Sequence, residues 1–593
     1  EAGAIFGQWV DLCISRKDVF DKNKTSKNLF RTIPGRTRFN DDDELFKWIH
    51  HADLVGGKQK EDSCIGQGIV DSLRNPHPIF HDIKKQCQMI SNIPSADAPT
   101  SFTIRNTHPF AYTEEVVLQW KVMLGGNILS NGEGLITEIE PYGTRTMRFK
   151  IDIGKYLVEG WGEGNPESVE MYMKALSHEI VFDISLKLAK QSYYAEAGYE
   201  VAFFQEVLCE KVQSPVRTGK AMPGINAFSL KGMIPSSTVL EDTSPVKEIT
   251  DGSQILASDN KESIKADSIE EESVASVMTS FEEVAISDNN QLEEGSIADL
   301  LKEETSVYAH PKGLEIGNSS SGFGFDRTSG AINRIAIDGF DFLKGAFFPS
   351  FYRCPSNVDR TDKSFVLAKT IFSKETDYEA IQSSLEFVGC SYGDRDGVYE
   401  IVSRYKSFAM KGDVVIFYEI ESADSMLVTL CFTPKYDMVR YGLRVPIVKE
   451  DMLCKWYGRG PGESYYDRKN ASRIGLFAAG ADKIYHPYAR PAENSSHTDT
   501  HTLELLNQYG NGLKITRKSS NGKFDFTVLP FTPEQMNAFL HEEQLMQNQS
   551  CELFLDFCTK EIERTKINVS SQPLKKNVGY KETFEIKLVR NNL

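Results

Sequence analysis

Alternation of apolar and polar residues dominates this chain and predicts strands almost throughout. Glu115 to Leu124 places Val116, Leu118, Trp120, Val122 and Leu124 on one face, and Gly125-Gly126-Asn127 then supplies a tight hairpin turn. His178 to Ala189 alternates Ile180, Phe182, Ile184, Leu186 and Leu188 with Asp183, Ser185 and Lys187, which predicts a half-buried strand. Glu200 to Leu208 gives another. Further on, Phe323 to Leu343 reads as a hairpin around a Thr-Ser-Gly turn. Phe365 to Phe372, Val398 to Tyr405, Val414 to Ile420, Met426 to Phe432 and Phe584 to Val589 read as strands. Near the start, Ala4 to Val10 is a short apolar run of the kind that forms a buried parallel strand, and it ends at Asp11.

Two stretches break the pattern. Residues 15–45 are rich in Lys, Asn, Arg and Asp and read as an exposed excursion. Pro235 to Glu304 holds 18 acidic residues against 4 lysines and no arginine, interleaved with serine, and accounts for most of the net charge of −17. Such a segment buries too little apolar surface to fold, so it reads as a solvated linker. The organisation expected is 1–93, 94–212, a linker over 213–308, and 309–593.

Within 593 residues several cores fit, and 40% hydrophobic content is a globular value. Net acidity argues against nucleic acid as partner. No apolar run is long enough to cross a bilayer, so no membrane is expected either. Ten cysteines are scattered without a C-x-x-C pair. That predicts reduced thiols in a reducing compartment, hence the cytoplasm. The first residue is Glu1 rather than Met, from which a fragment or processed product is expected.

The densest chemistry is Lys455 to Phe477, KWYGRGPGESYYDRKNASRIGLF. Gly458, Gly460, Pro461 and Gly462 predict an irregular loop. Arg459, Glu463, Asp467 and Arg468 flank aromatic rings. A phosphate-loop reading lacks the Gly-Lys-Ser/Thr that would follow. Glu463 and Asp467 can be read as an acid pair, but salt bridges to Arg459 or Arg468 account for them better. His497-x-Asp499-x-His501, and His77 with His81, have spacings that metal ligands use. Histidines satisfied by backbone or carboxylates are the expected alternative.

This stretch closely resembles the W-x-G-x-G-P-x-E-x-Y-x-D-R signature of the C-terminal domain of the long β-galactosidases of glycoside hydrolase family two. Other segments resemble the same enzymes. Trp9, Val10 and Asp11 fit the last barrel strand, and Arg74, Pro76, His77, Pro78, His81, Asp82 and Lys84 fit the exit from the barrel. Phe323 to Leu343, Pro349 to Arg360 and Tyr485 to His501 fit the C-terminal domain. The resemblance implies a mainly β fold: an immunoglobulin-like β-sandwich, then a large galactose-mutarotase-like super-sandwich, with a partial TIM-barrel remnant at the N-terminus. If the other barrel strands are absent, the first is an orphan. Residues 1–14 are then expected to be poorly ordered or paired elsewhere.

Retaining glycosidases need two carboxyl groups about 5 Å apart. In the family both are glutamates on barrel strands that precede the text at Glu1, so no residue here is expected to be catalytic and the chain alone is expected to be inactive. The resemblance implies carbohydrate contacts at Trp9, Asp11, Gln67, Arg459, Glu463, Asp467, His497 and Asn568. Several pocket positions depart from the family. Gly7 and Asn568 stand where it has tryptophans, Cys64 where it has an aromatic residue, and Gln67 where it has the asparagine that helps hold sodium. Each lost ring removes a stacking face worth on the order of 1 kcal/mol. Magnesium and sodium are implied for the full-length family, mostly through upstream residues, with none held by this chain. The implied partners are a β-galactoside or related carbohydrate, the upstream barrel in cis or in trans, and a further copy in a homo-oligomer. The rival reading is a degenerate carbohydrate-binding or scaffold protein without catalysis.

Overall fold

The computed structural model describes residues 9–11, 13–15, 48–50, 68–93, 101–149, 179–209, 305–356, 359, 378–436, 438–518, 522–559, 562 and 575–591. The chain divides into two compact units, one of residues 87–281 and one that joins residues 1–86 to 282–593. Among the described residues no helix is long and apolar enough to cross a membrane. Gln67, Cys64, Asn568, the acidic segment and the strand expected at Phe365 to Phe372 lie outside the described residues.

The first unit is a β-sandwich. A four-stranded sheet runs Asn127–Ile136, Val116–Leu124, Ile180–Leu188, Glu200–Cys209, and a three-stranded sheet runs Ile90–Ile93, Ser101–Asn106, Thr144–Arg148. Phe102, Ile104, Trp120, Val122, Phe182 and Ile184 form its core. The alternation in Val116–Leu124 is realised: the apolar face is buried and Val117, Gln119 and Lys121 are half-buried. Gly125 and Gly126 both take positive φ, 55° and 87°, as a two-residue hairpin turn requires.

Ile180–Leu188 corrects the half-buried expectation, because nearly every residue in it is buried. It is a central strand, paired on both sides. Its polar residues are covered by cross-strand partners: Lys121 Nζ lies 3.4 Å from Asp183, Gln205 donates to Asp183 at 3.3 Å, and Ser185 donates to Glu200 at 2.5 Å.

The second unit is built on a nine-stranded and a five-stranded sheet, with a five-stranded meander over residues 306–341. The nine-stranded sheet carries Leu453–Gly460 between Thr502–Leu506 and Arg473–Gly480. The five-stranded sheet runs Phe348–Ser350, Arg440–Val448, Ser550–Thr559, Phe524–Leu529, Ser496–Thr500. One hydrophobic core takes residues from both, among them Trp456, Leu503, Leu443, Phe526 and Leu555.

The irregular loop expected from Gly458 onward begins later, at Pro461. Gly458 and Gly460 lie inside the strand Leu453–Gly460. A Cβ on Gly458 would stand 2.7 Å from the Thr500 Cα, and one on Gly460 would stand 2.6 Å from the Phe477 ring. These glycines admit close neighbours to a strand rather than breaking it.

Of residues 1–14, those described are paired. Val10 bridges Val70 in parallel, Asp11 N donates to Val70 O at 3.0 Å, and Cys13–Ser15 pairs antiparallel with Trp48–His50. The helix Pro78–Gln86 follows.

Candidate functional site

The loops that follow Leu453–Gly460 and precede Ser496–Thr500 meet the N-terminal segment within the second unit. Asp11 is buried and accepts from Gly68 N at 2.7 Å through Oδ1. Its Oδ2 lies 2.9 Å from His77 Nε2. The other nitrogen of that ring, Nδ1, lies 2.9 Å from His486 Nε2. Tyr488 packs on both imidazoles, with ring centroids 5.1 Å from His77 and 4.6 Å from His486. Its hydroxyl donates to Glu463 Oε1 at 3.0 Å. Glu463 also accepts from Ser495 N at 2.5 Å and is ion-paired to Arg468. The result is one polar chain from Asp11 through two histidines and a tyrosine to a carboxylate and a guanidinium. Two imidazole nitrogens in hydrogen-bond contact need one N–H donor and one lone pair between them. Burial holds His486 neutral, lowering its pKa to about 4.

The residues named from sequence divide accordingly. Asp11 and Glu463 are brought into this chain, and Glu463 takes Arg468 as its partner. Arg459 belongs to a second cluster, where its Nε donates to Asp499 Oδ2 at 2.5 Å and its Nη1 to Ser472 O at 3.0 Å, with Lys469 Nζ 3.3 Å from the same carboxylate. Burial pushes Asp499 up, but Arg459 and Lys469 outweigh it and leave the carboxyl below the usual range. Asp467 is exposed and accepts from Ile562 N at 3.1 Å. Trp9 is half exposed.

His497 is a core residue. It stacks on Phe526 at 4.9 Å and meets Trp456 edge-on at 4.7 Å, and its ring nitrogens face Ser495 O at 3.0 Å and Pro461 O at 3.3 Å. His497, Asp499 and His501 therefore look toward three sets of partners, His501 packing on Tyr457. Among the described residues no group of three or more His, Cys, Asp or Glu is placed to hold a metal ion.

Sequence reading missed His486 and Tyr488 as functional neighbours, although both lie in the Tyr485 to His501 text. His77 is satisfied by the Asp11 carboxylate, the expected alternative to a metal ligand, but its His486 neighbour has no signal in the sequence.

Beneath the loops lies a buried ionic layer. Arg440 Nη2 is 2.7 Å from Glu493 Oε1, Arg440 Nε is 3.0 Å from Asp556 Oδ1, and Arg353 Nη2 is 2.9 Å from Asp359 Oδ2. Asp525 and Asp556 are cross-strand neighbours. Burial, and then the Asp499 charge, push Asp525 up to about 7, and burial pushes Asp556 up to about 8 against the pull of Arg440. Raised carboxyls suit acid catalysis. Asp556, however, is 0% exposed and engaged with Arg440, so the two cannot straddle a glycosidic bond.

Two strand-rich units, the first inserted within the second, with polar networks that lock the described loops in place, define a mainly β scaffold. Residues 317–563 match the family described as Beta galactosidase small chain, and residues 102–208 that described as Beta-galactosidase, domain 4. Over these regions the chain is similar to the C-terminal portion of β-galactosidases. A β-galactosidase of Priestia megaterium is 21% identical over 499 residues, covering 84% of this chain and 38% of that relative. One of Kluyveromyces lactis is 34% identical over 130 residues, 22% of this chain and 12% of that relative. The chain thus spans well under half of the curated relatives it matches. A galactose 1-epimerase from Lactobacillus acidophilus aligns with 49% of this chain and 100% of its own, at 8% identity and a TM-score of 0.27, a likeness on which nothing below rests.

Proposed function

We propose that this chain is the scaffold portion of a glycosidase that hydrolyses terminal non-reducing β-D-galactose residues with retention. Both catalytic glutamates lie on an upstream TIM barrel that the chain engages in cis or in trans. One observation carries this reading. The segment that resembles the end of the barrel, Trp9 to Gln86, is joined to the small-chain region by the chain Asp11–His77–His486–Tyr488–Glu463–Arg468.

On this reading the chain alone does not turn over substrate. Its residues hold the barrel end against the small-chain region, and the carboxylates that act on the sugar come from the barrel. Magnesium and sodium, where the enzyme uses them, bind mostly through residues upstream of this chain. A reducing compartment such as the cytoplasm suits Cys13, Cys87, Cys354, Cys390, Cys431, Cys454, Cys551 and Cys558, which are unbridged.

The substitutions at Gly7, Cys64, Gln67 and Asn568 favour a second reading, a carbohydrate-binding or scaffold protein that has lost catalysis. Assaying a chromogenic β-galactoside with the chain alone, and with the chain joined to its barrel, separates the two. Hydrolysis only in the joined form supports the first, and none in either form supports the second.

A further inference from the structure

At one end of the first unit, two loops present aromatic rings to solvent. Tyr193 is 98% exposed, Tyr194 51% and Tyr199 41%. The rings form a comb: Tyr193 meets Tyr194 edge-to-face at 5.0 Å and 79°, and Tyr194 meets Tyr199 at 6.2 Å and 83°. The adjoining loop adds Phe110 at 88% and Tyr112 at 61% exposure. Glu114 ties the loops together, accepting from Ser192 Oγ and from Tyr194 OH. Exposed aromatic residues grouped in this way, rather than scattered, mark an interaction site.

Both loops are braced. Ser192 N donates to Ala195 O at 2.8 Å, Gly198 N to Leu188 O at 2.8 Å, and Gln191 Nε2 to Glu196 Oε1 at 3.1 Å. On the other loop, Asn106 Nδ2 donates to Ala111 O at 2.8 Å and Thr113 N to Ile139 O at 2.9 Å. Rings on a braced loop lose little entropy when a ligand lies against them.

We propose that Tyr193, Tyr194 and Tyr199, with Glu114 and Glu196 beside them, form a binding surface for a neutral saccharide chain. The apolar face of a pyranose stacks on an open ring, and its hydroxyls need acceptors at the ring's edge. Carboxylates and phenols supply both functions here, whereas the centre of a protein–protein interface is depleted of charged residues such as these glutamates. The acids Glu114, Glu115, Glu196 and Glu200 outnumber the cations Lys187 and Lys190 beside them, which disfavours phosphate, nucleic acid or acidic glycans. Tyr194 remains a protonated donor, its pKa pushed up to about 12 by burial and then by Glu114.

The test is electrophoresis of the full chain through native gels containing a linear neutral β-galactan, a neutral β-glucan or no polysaccharide. Binding is read without turnover, so the result stands apart from hydrolysis. The wild-type chain should be retarded by at least one neutral polysaccharide. Tyr193→Ala should weaken retardation several-fold, Tyr193→Phe should keep it, and Tyr509→Ala, at an exposed ring of the other unit, should leave it unchanged. No retardation by either polysaccharide, or equal retardation of Tyr193→Ala and wild type, would overturn the proposal.

Discussion

His77 Nδ1 and His486 Nε2 lie 2.9 Å apart across 409 residues of sequence, and this contact joins the N-terminal segment to the small-chain region. A net hydrogen bond contributes about 1 kcal/mol, and an orphaned buried partner costs about 1–3 kcal/mol. His77→Ala and His486→Ala should each lower thermal stability. In a double-mutant cycle they should couple by about 0.5 kcal/mol or more. Additive effects would show that the two rings do not act together.

Burial of His486 sets a pH dependence. His486 has a folded pKa of about 4, below the ordinary value of 6.5. Between those values the unfolded chain binds more protons than the folded one, so stability rises with pH across that window and falls as pH drops from 6.5 toward 4. The shift corresponds to about 3 kcal/mol as an upper scale. Thermal melts from pH 7 to pH 4 should show a steeper decline for wild type than for His486→Gln. Parallel curves would contradict the assignment.

Glu463 and Arg468 are ion-paired with side chains only 3% and 6% exposed. Glu463→Gln removes the charge that Arg468 faces and should destabilise the chain by about 3–5 kcal/mol, more than Arg468→Met and Glu463→Met combined. Denaturant titration followed by tryptophan fluorescence checks this, since Trp456 lies in the adjoining strand.

Gly458 and Gly462 look alike in sequence but not in the fold. Gly458→Ala meets Thr500 backbone and should cost about 1–3 kcal/mol. Gly462→Ala meets nothing within 4 Å and should stay within about 0.5 kcal/mol of wild type. Equal effects on melting temperature would return Gly458 to the loop.

Much of the fold was legible where a single face is buried. Val116–Leu124 announced itself by alternation and by the two glycines after it. Ile180–Leu188 misled because its polar residues are buried by Lys121, Gln205 and Glu200, partners that period-two reading cannot see. Glycine density in residues 458–462 was read as loop, whereas close packing against Thr500 and Phe477 is what demands it. At the site, an ion pair of Glu463 with Arg459 or Arg468 was legible from proximity, and the fold gives Glu463 to Arg468 and Arg459 to Asp499. The His77–His486 contact was not legible, because neither local spacing nor composition signals a partner 409 residues away.

The most direct test of the scaffold account is hydrolysis of a chromogenic β-galactoside by the purified chain, alone and then joined to the upstream barrel. The account predicts no turnover by the chain alone and turnover by the joined protein. Hydrolysis by the isolated chain at a rate well above the uncatalysed background would contradict it.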